Sequence, residues 1–447
     1  MDRVKRMEEM GMGKWRWWRK VGYLLVPVLV VWWWVAQPKR FRLVTTITIP
    51  ENSQVLKSDP ADLYLRLDVP DKLTLFGWDG KPRWQVPVKA KHLCADKIPD
   101  SPDAGTGELA DAGYALSPDG HVLAIALRSS KQLRVITWRD GRMLGEVHLH
   151  LSNRLDQLAY CFEAKLQATD SGRVWLFDAQ PSATYIHGSS PLIAIDGSHI
   201  AYGYYAMSPI PPAETYNNWE LSPDGTKLYC ENLLGTLELV SLQVHAERII
   251  ATCRFATTTS YPPNFEWQNS EWLTNSDGDG SMLGPNGVVQ GAKDYYFLTP
   301  TFRYSMGNHC QVFLPPPAHP WQVPTAGIIK AGICSMDGQA ALLLEQSAPR
   351  KSNMQRMLRN LPLLNRLVDQ EAYRFALYTH PGRPRAVLNS DFEGDLEDDR
   401  ALYFTLSGTI YRIDDLSLSP DGRRVAILVK VYKGKSAGSK ELHLFTW

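Results

Sequence analysis

An excess of charge of one sign is missing: 48 Lys+Arg stand against 47 Asp+Glu, a net charge of +1. Without a basic surplus the chain does not read as a general nucleic-acid binder. Cysteine is scarce, six in 447 residues, too few for the disulfide framework of a small secreted domain. No His-Glu-x-x-His or Cys-x-x-Cys pair occurs, so the local signatures of two common chemistries are absent. Charged residues are only 21% against 44% hydrophobic, which excludes disorder as the dominant state. What is plentiful is turn-forming and aromatic: 32 Gly, 30 Pro and 15 Trp. That mixture suits many short strands joined by tight turns. At about 150 residues per domain, the length allows roughly three domains or one large repetitive one.

Long hydrophobic runs are also absent, with one exception. Val21 to Ala36 is sixteen residues without a charge, rising ~24 Å as a helix against a ~30 Å hydrocarbon core. Trp15, Trp17 and Trp18 flank it on one side and Trp32 to Trp34 on the other, where aromatic belts belong. Arg19, Lys20, Lys39 and Arg40 can snorkel outward and extend the span. Seven basic residues precede the run and three follow closely. The positive-inside rule therefore expects residues 1–20 as a cytoplasmic segment, 21–36 as a single-pass signal anchor, and the rest on the periplasmic or extracellular side. A cleaved signal peptide and a buried core helix compete with the anchor; Trp34 is bulky where a cleavage site needs a small side chain.

Four segments repeat one pattern of apolar stretch, turn and apolar stretch. They are YALSPDGHVLAIAL at 114–127, WELSPDGTKLYC at 219–230, GICSMDGQAALLL at 332–344 and LSLSPDGRRVAILV at 416–429. Pro presets φ, Asp bonds local backbone and Gly supplies a positive φ. The strand after each turn is rich in Val, Ile and Leu, as a strand buried on both faces would be. Weaker copies are read at Thr169–Gly172 and Asn275–Gly278. Turn starts at 117, 169, 222, 275, 335 and 419 give spacings of 52, 53, 53, 60 and 84. A period near 53 points to a propeller or solenoid. A further weak copy is read at Ser58–Asp59–Pro60. Stretches 73–88, 133–149 and 373–388 align as a later hairpin of the repeat, so each repeat offers about four strands, one blade. Too few residues follow Ser419 to complete the last blade, and an open edge is a hazard. The strand LVTTITI at 43–49 is expected to close it. The expected fold is all-β, a propeller over 41–447 of seven blades, with six or eight as alternatives.

The Leu-Ser-Pro-Asp-Gly turn followed by an apolar strand resembles the WD40-like repeat of TolB-type propeller proteins. The resemblance implies a mostly non-enzymatic module for protein–protein contacts at the bacterial envelope. Trp78–Asp79 is the only Trp-Asp pair, so a strict WD repeat is the weaker reading.

Candidate chemistry is thin. Asn275, Asp277 and Asp279 alternate before a Gly like the start of a calcium loop, but positions nine and twelve are Leu283 and Asn286. A blade turn accounts for the same residues. Six carboxylates crowd 391–399, as a solvated loop also would. Gly80–Lys81–Pro82–Arg83–Trp84 resembles a quinoprotein repeat end, but it occurs once, and a packing Trp at a blade edge explains it. His148 and His150 alternate on a strand without a third ligand. Cys230 and Cys253 fall in one expected blade, and the sequence does not assign a pairing. Residues 350–370 break the period as a basic amphipathic helical insertion. Met354, Met357, Leu358 and Leu361 with Arg356 and Arg359 form its candidate partner or lipid face.

These readings converge on a membrane-anchored, non-catalytic scaffold or ligand-sensing module. Its expected partners are the membrane and an envelope protein, with no cofactor beyond a possible calcium ion. The alternative is a propeller-type lyase, hydrolase or quinoprotein with a central-channel site.

Overall fold

The computed structural model describes residues 39–51, 53–57, 64–68, 72–90, 93–95, 112–129, 132–150, 164–178, 190–207, 217–232, 235–258, 265–275, 282–285, 287–289, 296–298, 303–304, 310–312, 321–323, 327–335, 337–347, 373–380, 383–389, 402–406, 409–419, 421–433 and 436–447. The expected anchor at 21–36, the loop residues Asp277 and Asp279, the insertion at 350–370 and the acidic stretch at 391–399 lie outside them. Among the described residues no helix is long and apolar enough to cross a membrane.

Every regular element described is a β-strand. The first sheet is a four-stranded meander over 53–87, and the second spans 93–150 with five strands. The third has eight strands and consists of two meanders, 164–205 and 217–258, joined edge to edge. The fourth sheet covers 265–289, and a small three-stranded fifth covers 296–322. The sixth takes its strands from 303–389, and the last from 402–446.

The strand after each sharp turn is buried on both faces, and the alternation of its side chains explains how the sheets assemble. In Val122–Arg128, Leu123 and Ile125 join the core shared with the first sheet. Val122, Ala124 and Ala126 join the core shared with the eight-stranded sheet. In Arg424–Lys433, Val425, Ile427 and Val429 face the sixth sheet, while Ala426 and Leu428 face the first. Successive cores link the two meanders of the third sheet and then the fourth. Contacts between Leu273–Asn275 and Tyr296–Leu298 continue to the fifth, which packs on the sixth. Because the last sheet packs on the first through Tyr64, Leu442 and Leu444, the series closes into a ring. The chain is an all-β propeller.

The closing strand behaves as the sequence leads one to expect. Arg42–Ile49 pairs antiparallel with Ser436–Thr446, from Arg42 beside Thr446 to Ile49 beside Lys440. Lys39 and Arg40 first pair in parallel with Ala386 and Val387 of the sixth sheet. Phe41, between these pairings, is buried in the core of the sixth and last sheets. The amino-terminal strands thus seal two neighbouring sheet edges.

One turn is not where the repeat places it. The first hairpin of the fourth sheet is made by 268–272, with the Gln268 N–H donating to the Trp272 carbonyl at 2.9 Å. Asn269 Oδ1 accepts the N–H groups of Glu271 and Trp272. Asn275 closes the second strand, Leu273–Asn275, so Asn275–Gly278 comes one strand later than Ser117 does. An Asn-Ser-Asp-Gly run suits any tight turn, and the coincidence of spacing picked the wrong one. The stretch containing Ser58 does fall between Ser53–Lys57 and Tyr64–Asp68, the position of a first hairpin.

Candidate interaction surface

The four sharp turns are one device built four times. Ser117, Ser222, Ser335 and Ser419 each donate a hydroxyl hydrogen bond to the Asp two residues on, Asp119, Asp224, Asp337 and Asp421. The same hydroxyl accepts the N–H of the fifth residue on, at 2.9–3.0 Å. Each Asp accepts the backbone N–H two residues further along. Each Gly lies at φ between 64° and 71°, a region closed to most side chains. Burial works against the ionised form of Asp119. The Ser117 hydroxyl and His121 N–H outweigh it and hold the carboxyl below its usual range. Asp421 is lowered in the same way by Ser419 and Arg423, again against burial. The Thr169–Gly172 copy is one residue shorter: Thr169 bonds Arg173 rather than a fifth residue.

These turns stack around one end of the ring, together with the outer hairpins. Asp140 N–H reaches the His121 carbonyl, Leu242 N–H that of Thr226, and His380 N–H that of Gln339. The tips press on their neighbours. A Cβ on Gly80 would lie 2.3 Å from Thr45 Cγ2, and one on Gly145 would lie 2.7 Å from the Gly197 carbonyl oxygen. Across adjoining sheets, the Asp119 N–H donates to Asp170 Oδ1 at 3.0 Å. Asp170 is raised, first by its own burial and then by the Asp119 charge.

Indoles seat on the turn glycines. Trp84 Nε1 donates to the Gly120 carbonyl at 3.2 Å, Trp321 Nε1 to Gly338 at 2.9 Å, and Trp447 Nε1 to Gly422 at 2.9 Å. At the Ser222–Gly225 turn the Trp175 indole packs on Gly225, where a Cβ would lie 2.3 Å from Nε1. Trp84, read from sequence as a packing residue at a blade edge, therefore also ties the first sheet to the second. Nothing in the local sequence marks this pairing, because the partners are 36 residues apart.

Among the described residues, the large apolar side chains left exposed are Leu43, Val44, Met143, Leu144, Tyr202, Tyr204 and Ile250. All sit on outer strands: Arg42–Ile49, Arg142–His150, His199–Tyr205 and Arg248–Thr258. The last two are the strands that fuse the eight-stranded sheet. Tyr202 N–H donates to the Glu247 carbonyl at 3.0 Å, and Tyr202 pairs in parallel with Arg248. Gly203 permits the approach, since a Cβ there would lie 2.6 Å from Ile249 Cβ. Beside this junction lies an open cleft of about 800 Å³ lined by Arg173, Asp196, His199, Tyr202, Val244 and Glu247 among others. Arg173 Nη2 is 3.5 Å from Asp196 Oδ2, a loose ion pair, and its buried Nε has no partner. Burial, then the neighbouring Tyr204, raises the Tyr202 phenol. A cleft with an under-used guanidinium, an imidazole, two carboxylates and phenol rings at its margin suits recognition of a polar, extended partner.

Buried acids are held by tyrosines. Tyr229 OH donates to Glu231 Oε2 at 2.9 Å, Tyr205 OH to Glu238 Oε2 at 2.6 Å, and Tyr378 OH to Glu345. Burial pushes Glu231 up to about 7, the Tyr229 hydroxyl opposes this, and the Glu220 charge adds to it. His148, one of the alternating histidines, meets Glu146 at 2.8 Å, and Glu146 also takes a bidentate grip from Arg134. Cys230 and Cys253 are free thiols, so they share a sheet without a bond. Among the described residues no cluster of three or more metal-ligating side chains occurs.

No family model matches the chain, and no curated protein matches it in sequence. Solved structures similar in shape are propeller domains of low identity. The Myceliophteria thermophila Cps50 (Swd1) beta-propeller domain is 10% identical, covering 91% of this chain and 99% of that one, with a TM-score of 0.38. The WD40 domain of SCAP from fission yeast is 12% identical over 91% and 98%, with a TM-score of 0.41. The C-terminal WD40 domain of Sif2 is 9% identical over 92% and 99%, with a TM-score of 0.35. At such scores the propeller assignment rests on this chain's own sheets and closure.

Proposed function

We propose that this chain is a membrane-anchored, non-catalytic propeller that holds a protein partner at the cell envelope. The observation that carries the reading is the junction at Tyr202. There two meanders fuse, phenol rings and Ile250 stay exposed, and a cleft opens beside them. Tyr and Arg supply much of the binding energy in protein interfaces because they combine large contact area with directional bonds. Here Tyr202, Tyr204 and Arg173 are presented on strands rather than loops, so they are held in place before a partner arrives.

The blade count we favour is seven. It takes the first, second, fourth, sixth and last sheets as one blade each, the eight-stranded sheet as two, and the small sheet at 296–322 as an insertion. The Ser-Pro-Asp-Gly turns support a TolB-type ancestry for the repeat. The seven basic residues before Val21 support a cytoplasmic amino terminus, with the ring on the periplasmic or extracellular side,. A reporter fused after Trp447 checks the topology: activity on the cytoplasmic side removes the envelope assignment.

The partner reading is tested with a photo-crosslinking residue at Tyr204 in intact cells. One discrete protein adduct is expected, and it should be lost when Ile250→Glu is added to a chain that still folds. Absence of any adduct at Tyr202, Tyr204 and Ile250 would remove this surface as the binding site.

A further inference from the structure

We propose that the arc of the ring from the closing strand to the outer hairpin of the second sheet rests on anionic lipid headgroups. This deepens the membrane-anchor reading above and rests on it. The first observation is where the chain joins the ring. Lys39 and Arg40 run parallel with Ala386 and Val387, whose strand starts at the end of the ring that carries the sharp turns. Arg42 lies in register with Thr446, which lies in register with Arg424, two residues beyond the Gly422 turn. The chain therefore arrives at the turn-bearing end. Only Gln37 and Pro38 separate Ala36 from Lys39, a reach of about 10 Å at full extension. A bilayer that holds residues 21–36 must lie close to that end.

The second observation is what that end presents. The register of the closing strand shifts between Leu43 and Thr45, so Val44 has no partner on the neighbouring strand. Alternation would turn one of two adjacent residues inward; here Leu43 and Val44 are both exposed, as a bulge allows. Thr45 then sits against Gly80 of the next hairpin. Arg83 on that hairpin reaches the Asp119 carbonyl of the second sheet. Beyond it, Met143, 63% exposed, and Leu144 sit at the tip of the second sheet's outer hairpin. The arc is therefore continuous, with apolar side chains flanked by exposed Arg42, Arg83 and Arg142. Shallow apolar insertion combined with basic attraction is the chemistry of a surface that lies on anionic lipid.

The experiment uses the full chain with Cys94, Cys161 and Cys253 changed to Ser and one new cysteine at a time: Val44→Cys, Met143→Cys, or Arg254→Cys as the distant control. Each is labelled with an environment-sensitive fluorophore and reconstituted in phosphatidylcholine–phosphatidylglycerol vesicles. Carbonate extraction reads the anchor separately from the label. The expected result is a carbonate-resistant chain whose Val44 and Met143 labels shift to the blue and are quenched by nitroxide-headgroup lipid. The Arg254 label should do neither, and Arg42→Glu with Arg83→Glu should reduce the quenching several-fold. Resistant chain with all three labels equally wet would overturn the proposal and leave the anchor standing. A blue shift without lipid quenching would also overturn it, assigning the arc to a protein or a second copy. Chain released by carbonate would remove the anchor and this inference with it.

Discussion

The Trp84 indole donates its Nε1 proton to the carbonyl of Gly120, across the boundary between the first and second sheets. Trp84 is buried, so the bond is made away from water and the carbonyl depends on it. The same carbonyl belongs to a glycine whose positive φ the Ser117–Asp119 pair maintains. One side chain thus fastens a neighbouring sheet at the residue that shapes its turn. Trp84→Phe keeps most of the apolar area and removes the donor, and is expected to cost about 1–3 kcal/mol. Trp84→Ala adds a cavity and should cost about 3–5 kcal/mol. Urea unfolding with an unchanged slope checks both, and equal losses for the two variants would deny the hydrogen bond any part.

Closure of the ring predicts a second result. Removing residues 42–49 exposes the edge of Ser436–Thr446 along its whole paired length and withdraws Ile49 from burial. The melting temperature should fall by many degrees, and amides of 436–446 should lose hydrogen-exchange protection while those of 122–128 keep it. Phe41→Ala is the milder version, expected to cost about 3–5 kcal/mol from the core between the sixth and last sheets,. An unchanged melt in the deletion would mean that another segment seals the edge.

The sequence made the repeat legible because each sharp turn needs particular chemistry at fixed offsets. Ser, Asp and Gly at 117, 119 and 120 each perform a separate local task, and that requirement shows as a motif. Closure was legible for a different reason: the last repeat is short by a strand, and Arg42–Ile49 is an unclaimed one. The misplaced turn at Asn275 shows the limit of such local evidence. Its Asp and Gly meet the demands of any hairpin, and only the pairing of Phe265–Trp267 with Leu273–Asn275 reveals which hairpin it is. The junction at Tyr202 and the seat of Trp84 on Gly120 were not legible at all. Both depend on which sheets become neighbours, and that is set by burial summed over entire strands.

Two glycines separate backbone strain from crowding. Gly197 has φ of 59° and nothing within 4 Å of the place a Cβ would take, whereas Gly225 has φ of 71° and the Trp175 indole at 2.3 Å. Gly197→Ala therefore adds only the left-handed penalty of about 1–2 kcal/mol. Gly225→Ala adds that penalty and must also displace a fully buried tryptophan, so its loss should exceed that of Gly197→Ala by about 1–3 kcal/mol. Denaturation midpoints of the two variants, with Trp175 fluorescence as a local probe, give the comparison. A shift in emission for Gly197→Ala alone would contradict the packing described.

Glu231 predicts how stability varies with pH. It is 6% exposed, its Oε1 has no hydrogen-bond partner, and burial raises it from 4.5 to about 7. Because the folded value lies above the unfolded one, the native state binds the proton more tightly. The stabilising contribution is complete below pH ~4.5 and is lost as the pH rises through ~7, beyond which no more is lost. The wild type should therefore be less stable at pH 8 than at pH 5 by an increment that Glu231→Gln removes, of the order of 2–3 kcal/mol. Glu231→Gln leaves an acceptor for the Tyr229 hydroxyl, so the comparison isolates the charge. Depressed carboxyls such as Asp421 act in the opposite sense: their contribution is present above their unfolded value and is lost on acidification,. Chemical denaturation at both pH values, wild type against Glu231→Gln, is the measurement. Identical pH dependence in the two proteins would show that Glu231 ionises in the fold as readily as in the open chain.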